Sequence, residues 1–81
     1  MTLDALKNAK KVIGIKQVTK AVQKGTAARV FLAADADERV IRPLRELCEK
    51  KQIVFDQEAT MMEIGSACSI EVGAAAAAAL C

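Results

Sequence analysis

Four segments of the chain repeat hydrophobic residues at the three- and four-residue spacing that places them on one side of a helix. In the second segment, for example, Val18, Ala21 and Val22 share a face. Helix signals support two of the starts, since Thr2 can cap the first helix and Thr60 with Glu63 has the capping-box pattern. We therefore predict helices over residues 3–11, 17–24 and 39–51, and from Thr60 to residue 67.

Short apolar runs lie between these helices and predict strands over residues 12–15, 29–34 and 53–55. Continuity rather than alternation indicates burial on both faces, as in a parallel sheet. The alanine-rich residues 74–80 favour a helix by intrinsic propensity. Strands that alternate with helices predict a sheet instead, and alanine in a central strand lets helices pack closely on both sides. We predict a strand there.

The predicted elements form a single domain over residues 1–81 of the α/β class. We expect an α/β/α sandwich with about four strands, which run mostly parallel. Gly25 is a suitable stop for the second helix, because glycine readily takes the left-handed conformation found after helix ends. Pro43 is best tolerated in a first turn, so the third helix is expected to start near it. Residues 69–73 are predicted to form a loop.

Charge is distributed unevenly, although the net charge is only +2. Residues 1–29 carry seven lysines and arginines against one acid, whereas residues 30–81 carry five against nine. A concentrated positive field favours nucleic acid or an anionic lipid, and the plain alternative is a solvated lysine face. The first eleven residues are polar and the apolar run at 74–81 is too short to span a bilayer, so we expect no membrane segment.

Three cysteines and no histidine make metal binding and thiol catalysis unlikely chemistries for this chain. An unpaired number of thiols favours a reducing, cytoplasmic setting. We expect Cys48 and Cys68 to be buried structural residues. No metal or cofactor is predicted.

The stretch from Gly14 to Lys20 is the strongest candidate for a binding site. It places a glycine, two lysines and Gln17 where an apolar run passes into the second helix. The first N–H groups of a helix have no partner within the helix and form the positive end of its dipole. Lysines added at this end make it a binding site for an anion. Lys16, Lys20 and Lys24 recur every four residues and are expected to form one stripe.

Aromatic residues are scarce, since the chain has two phenylalanines and neither tryptophan nor tyrosine. Stacking platforms for single-stranded bases are therefore missing from the sequence. If RNA is the partner, a structured duplex feature is the expected target.

Two other segments have both a chemical and a structural interpretation. Asp35 and Asp37 follow a predicted strand and could hold Mg²⁺ in a phosphatase-like enzyme, but a helix cap at Asp37 with Glu38 on the dipole is the simpler hypothesis. Ile70 and Val72 could belong to the core at a strand start, or could form an apolar contact surface in a loop.

Together, these motifs resemble the ribosomal kink-turn-binding family typified by the archaeal protein L7Ae. The resemblance covers nearly the whole chain in order and is closest to the stand-alone bacterial branch. It is carried by five segments: Gly14 to Lys20, Asp35-Ala-Asp37, Leu47-Cys48-Glu49-Lys50, Ile64-Gly65-Ser66-Ala67-Cys68, and Ile70 to Ala76.

The resemblance implies a three-layer α/β/α sandwich with a four-stranded mixed, mostly parallel sheet. It also implies binding to kink-turn RNA, in which a bulge sharply bends a duplex beside tandem sheared G·A pairs. It implies that the second helix enters the RNA groove at those pairs, with a family motif Gly-x-Asn-Glu-x-x-Lys. Gly14 and Lys20 match this motif, whereas Lys16 stands in place of Asn and Gln17 in place of Glu. Gln17 can still accept a guanine N–H, and Lys16 suits phosphate or guanine O6 and N7.

The resemblance also implies that the loop at residues 70–72 covers the flipped-out bulge nucleotide. It implies a non-catalytic, monomeric RNA-binding protein whose partner is ribosomal or riboswitch-type RNA. A magnesium-dependent phosphatase using Asp35 and Asp37, and a regulatory protein–protein module on the same fold, remain the alternatives. The predicted RNA-binding residues are Gly14, Ile15, Lys16, Gln17, Lys20, Lys24, Ile70, Glu71 and Val72.

Overall fold

Helices and strands alternate along the computed structural model, which describes residues 3–81 apart from the side chains of residues 4 and 5. The predicted order of elements is confirmed. Their bounds are α1 (Asp4–Lys7), β1 (Lys11–Ile13), α2 (Ile15–Lys24), β2 (Ala27–Leu32), α3 (Glu38–Lys50), β3 (Phe55–Asp56), α4 (Met61–Ala67) and β4 (Ala76–Leu80).

The four strands form one mixed sheet in the order β1-β4-β2-β3. Only β2 and β3 run parallel, and β4 pairs antiparallel with both β1 and β2. The expectation of a mixed sheet is confirmed, but the expectation that it is mostly parallel is wrong. A central strand covered by helices on both faces is continuously apolar in either direction, so the apolar runs could not distinguish the two pairings.

Two hydrophobic clusters, one on each face of the sheet, confirm the three-layer sandwich. On one face, α2 and α3 pack on Val30, Leu32, Ala76 and Ala78. On the other face, α1 and α4 pack on Phe31, Ala33, Ala77 and Ala79. Successive residues of β2 and β4 thus contribute to opposite clusters, as the pleat requires.

The alanine run forms the central strand β4, as predicted. Ala76, Ala77 and Ala78 are completely buried between the two helix layers. A methyl side chain fills the space on each face, and its small size sets how closely the helices approach the sheet. Burial and pairing on both edges outweigh the helix preference of alanine, which amounts to only a few tenths of a kcal/mol per residue.

Several element ends differ from the expected ones. Helix α1 ends at Lys7 rather than near residue 11, and β1 starts at Lys11, because the backbone of Lys10 already pairs with β4 through the Leu80 N–H. The proposed cap at Thr2 lies outside the described residues. Gly25 does end α2 in the left-handed conformation with φ 74°.

Helix α3 begins at Glu38, so the prediction that it begins near Pro43 is wrong. The Asp37 side chain accepts a hydrogen bond from the Arg39 N–H at 2.9 Å and caps the helix. Glu38 pairs with Arg45 and, at 3.7 Å, with Arg42. These contacts hold the first turns, and the helix accommodates an exposed Pro43 in its second turn.

Cys48 and Cys68 are buried, as expected, and Cys81 is exposed. Burial raises the pKa of the Cys48 thiol to about 11 and also raises the pKa of Cys68. Both thiols therefore stay protonated near neutral pH and behave as small hydrophobic groups. Within residues 3–81, no helix has the length and apolar character needed to cross a bilayer.

Enlarging a buried alanine of β4 is expected to destabilise the fold. Ala78→Leu places three extra carbons in the cluster beneath α2 and α3, where overpacking typically costs about 1–3 kcal/mol. Urea unfolding followed by circular dichroism measures the loss. Ala28→Leu, at an exposed position of β2, is the matched control, and equal midpoints for the two variants would contradict the packing argument.

The Asp37 cap is expected to make stability depend on pH. The hydrogen bond from the Arg39 side chain holds the pKa of Asp37 below its ordinary value. The stabilisation is therefore present above the unfolded-state pKa, about 4, and is lost as pH falls through the folded-state pKa. Asp37→Ala should lower the urea midpoint at pH 7, and its difference from wild type should narrow near pH 3. Glu58→Ala is the control, and a pH-independent difference would refute this origin.

Candidate nucleic-acid interface

Gly14 forms the entrance of α2 in a conformation that favours glycine, with φ 98° and ψ 152°. A Cβ atom at this position would meet nothing within 4 Å, so the backbone dihedral rather than crowding requires glycine. The Gly14 N–H donates to the Ala76 carbonyl at 2.9 Å, and its own carbonyl accepts from Val18 at 2.9 Å. One residue thus joins the helix start to the central strand.

The first turn of α2 has the properties of an anion site. Its leading N–H groups belong to Ile15, Lys16 and Gln17, and Gly14 has no side chain that could cap them. The first turn contains no acidic residue, and Lys16 and Gln17 are exposed. A phosphate or a base edge can approach these donors directly, since no carboxylate of this turn competes for them.

Along α2, the structure places Gln17, Lys20 and Lys24 on the wall of a shallow groove of about 130 Å³. Val12 of β1, Thr26 and Leu80 also line this groove. Lys16 lies outside the groove at the helix entrance. Lys16, Lys20 and Lys24 are all exposed on α2, as the predicted stripe requires, and the groove includes two of the three.

Ile15 lies in a different element from the predicted one. It is the first residue of α2 and not the end of a strand, and its half-buried side chain packs against the cluster beneath α2 and α3. Its contribution to a site at this position is therefore its backbone N–H.

The segment at residues 69–73 is a loop, as predicted, and α4 holds it at several points. The Ile70 N–H donates to the Gly65 carbonyl at 3.0 Å, and the Ala74 N–H donates to the Met61 carbonyl at 3.0 Å. The carbonyl of Val72 lies so close to Gly65 that any side chain there would overlap it. The loop is thus seated against the helix rather than projecting freely.

The two apolar residues of the loop differ in burial. Ile70 is half-buried against the cluster beneath α1 and α4, as the core hypothesis predicts. Val72 is 66% exposed, and Glu71 is exposed beside it. Met62 of α4 is 62% exposed, and its sulfur lies close to Gly73. Met62 therefore enlarges the apolar surface, a role that helix periodicity alone did not indicate.

The helix entrance and the loop lie at the same end of the central strand β4. The loop leads through Gly73 into β4, whose first residue, Ala76, accepts the hydrogen bond from Gly14. The neighbouring ladder pairs Ile13 with Ala77. The structure therefore places the lysine-rich helix start and the loop that carries Val72 at the same end of β4.

The two aspartates of the phosphatase alternative cap different helices. Asp37 caps α3, as the simpler hypothesis held, and Asp35 accepts a hydrogen bond from the Met61 N–H of α4 at 2.8 Å. Among residues 3–81, no three histidine, cysteine or acidic side chains are grouped so that they could hold a metal. Asp35 and Asp37 thus have structural roles in this fold.

Fold and site together define a small α/β/α protein with a basic helix entrance beside an exposed apolar loop. The model of the Ribosomal protein L7Ae/L30e/S12e/Gadd45 family matches residues 2–80. The chain belongs to this family.

Named relatives and a solved structure agree with this membership. An RNA-binding protein of Caldanaerobacter subterraneus subsp. tengcongensis is 46% identical over 69 residues, covering 85% of this chain and 84% of the relative. RNA-binding protein YbxF of Geobacillus stearothermophilus is 37% identical over 75 residues, covering 93% of this chain and 92% of the relative. The Giardia lamblia 15.5kD RNA binding protein superposes with a TM-score of 0.88 at 27% identity, covering 98% of this chain and 70% of that one.

Replacing Gly65 tests how the loop is seated. Gly65→Ala should gain up to about 1 kcal/mol of helix propensity but force the loop away from α4, and overpacking of this kind costs about 1–3 kcal/mol. We expect a net loss of stability in urea unfolding, because the clash is with the backbone of Val72. Ser66→Ala, at an exposed position of the same helix, is the control. A Gly65→Ala midpoint at or above wild type would show that the loop is not held there.

Proposed function

We propose that this protein binds RNA without catalysis and recognises kink-turns in structured RNA. The observation that carries the proposal is an acid-free basic helix start, bonded from Gly14 to the first residue of β4, and an exposed apolar loop that leads into that same strand. Family membership and the RNA-binding names of its relatives support RNA as the partner.

In this proposal, the start of α2 contacts the tandem G·A pairs. Gln17 can donate and accept hydrogen bonds, so it suits the edge of a base. Lys16 and Lys20 carry charge at the helix entrance and on the groove wall, where they suit phosphates or the O6 and N7 acceptors of guanine. Lys24, further along α2, contacts the backbone.

In this proposal, the loop at residues 70–72 contacts the nucleotide of the bulge. A sharply bent duplex exposes an unstacked base, and exposed Val72 offers it an apolar surface flanked by Glu71 and the half-buried Ile70. Bending also brings phosphates together, and the lysines reduce their repulsion. Because helix and loop both fit the bent form better than the straight one, binding shifts the RNA towards the bend.

The proposed partner in the cell is a structured RNA of the ribosomal or riboswitch type, bound by a cytoplasmic monomer. Crosslinking in cells followed by sequencing of the bound RNA tests this assignment directly. Recovery of messenger or ribosomal fragments that fold into a bulge beside tandem G·A pairs is the expected result, and recovery of unstructured RNA alone would refute it.

Lys20→Ala tests the role of α2. If Lys20 contacts a base edge, we expect its loss to weaken binding to a kink-turn RNA by roughly 1–3 kcal/mol, measured by isothermal titration or gel shift at fixed salt. Lys51→Ala removes the same charge from the exposed end of α3 and should change affinity little. Equal affinities for Lys20→Ala and wild type would exclude Lys20 from the contact.

A straight duplex of matched length and composition tests kink-turn specificity. We expect the wild-type protein to prefer the kink-turn, with the preference persisting as salt is raised, whereas general phosphate attraction falls steeply with salt. Equal binding to both RNAs would reduce the function to general RNA binding. Binding to neither RNA would favour the protein–protein module instead.

A further inference from the structure

We propose that the groove between α2 and the edge strand β1 is a track for one phosphate backbone of the duplex stem next to the bend, and that Lys10 forms its far end. This inference rests on the proposed function and extends the contact beyond the helix entrance. Its core is the strand pairing at the end of the groove, where the Lys10 carbonyl accepts from Leu80, a residue that lines the groove with Lys20 and Lys24.

The pairing of β1 with β4 gives the position of Lys10. The Leu80 N–H donates to the Lys10 carbonyl at 2.8 Å, which continues the ladder that pairs Val12 with Ala78. Residues two apart on a strand share a face, so Lys10 is on the face of Val12. Val12 and Leu80 both pack on the α2 side of the sheet and line the groove. Lys10 is exposed on that face.

The end of α2 reaches the same place through β4. The Cys81 N–H donates to the Thr26 carbonyl at 2.9 Å, one residue beyond the one that pairs with Lys10. Lys24 lies two residues before Thr26, and both residues line the groove. Lys10 and Lys24 therefore flank the end of the groove that is furthest from Gly14, and α2 spans about 15 Å between its two ends.

The charges around this groove are uncompensated. Residues 5–34 contain no aspartate or glutamate, and none of the groove-lining residues is acidic. Within the part of the chain that the structure describes, Lys10, Lys20 and Lys24 form no ion pair. The arginines of α3 differ, because Arg39, Arg42 and Arg45 all pair with Asp37 or Glu38. Lys10, Lys20 and Lys24 therefore keep their charge available for an outside anion.

The shape of the groove favours a backbone over a small ligand. Its volume of about 130 Å³ is below the range of about 300–1,000 Å³ that is usual for small-molecule pockets. It lies along the outer strand of the sheet. In an antiparallel ladder, alternate residues point their N–H groups away from the partner strand, so Lys11 and Ile13 present donors along this edge. A row of cations and amide donors suits successive phosphates, without base reading.

The test is the salt dependence of binding to a kink-turn RNA. Wild type, Lys10→Gln and the control Lys50→Gln are titrated at several salt concentrations, with far-UV circular dichroism to verify folding. Lys50 is equally exposed but belongs to the end of α3, which packs on α2 and β2 rather than β1. For Lys10→Gln we expect the plot of log K against log salt to become shallower by about one, as for one lost phosphate contact, and Lys50→Gln should retain the wild-type slope.

A second RNA separates the track from a general effect of net charge. When the stem beside the groove is shortened to the G·A pairs, the difference between wild type and Lys10→Gln should disappear. Equal slopes for Lys10→Gln and wild type, equal losses in Lys10→Gln and Lys50→Gln, or a difference that survives the shortened stem would each overturn the track. A wild-type protein that binds no RNA would instead overturn the proposed function on which the track rests.

Discussion

The antiparallel pairing of β4 between β1 and β2 is the constraint on which the rest of the structure depends. This strand is the last element of the chain and yet lies between two earlier strands, so the sheet is complete only when β4 inserts. Its alanines are small enough for a helix layer to pack on each face. Its first residue accepts a hydrogen bond from Gly14 at the entrance of α2, and the loop that contains Val72 leads into the same end of the strand. Core and candidate site therefore depend on one set of backbone bonds.

Across the described residues, charged side chains are paired in one part of the molecule and unpaired in another. Asp37 and Glu38 pair with arginines at the start of α3, and Asp35 accepts a hydrogen bond at the start of α4. Such exposed pairs contribute little to stability individually, but they neutralise charge locally. Among the side chains that the structure describes, the lysines of α2 and the start of β1 have no such partners. The lysines along α2 consequently leave a positive field beside the groove, where it can attract a polyanion.

Much of the fold could be predicted from local patterns, because those patterns act through neighbouring residues. The Thr60–Glu63 capping box, the left-handed Gly25 and the amphipathic α2 involve residues within a turn of one another. The strand at β4 needed the further argument that strands alternate with helices. Strand direction was beyond reach, because an apolar run buried on both faces is the same in either orientation.

The candidate site shows the same limit. The helix entrance was predictable, since glycine before a lysine-rich helix is a local signal. The roles of Asp35 and Lys10 were not, because Asp35 caps a helix 26 residues away and Lys10 reaches the groove only through its pairing with Leu80. Ile70 and Val72 could not be separated either, since the close approach of the loop to Gly65 decides which side chain is buried.

The two halves of the site also differ in how firmly they are held, and this difference bears on how a bent RNA would be selected. The loop is fixed to α4 by backbone hydrogen bonds and by contact at Gly65, so its apolar surface exists before binding. The lysines have long, exposed side chains, and these side chains lose rotamer freedom when they contact phosphates. A preformed surface loses little entropy on binding and therefore discriminates between RNA shapes. The lysines adapt to whichever backbone is present, so in the proposed complex they supply attraction while the helix entrance and the loop supply the choice of a bent duplex.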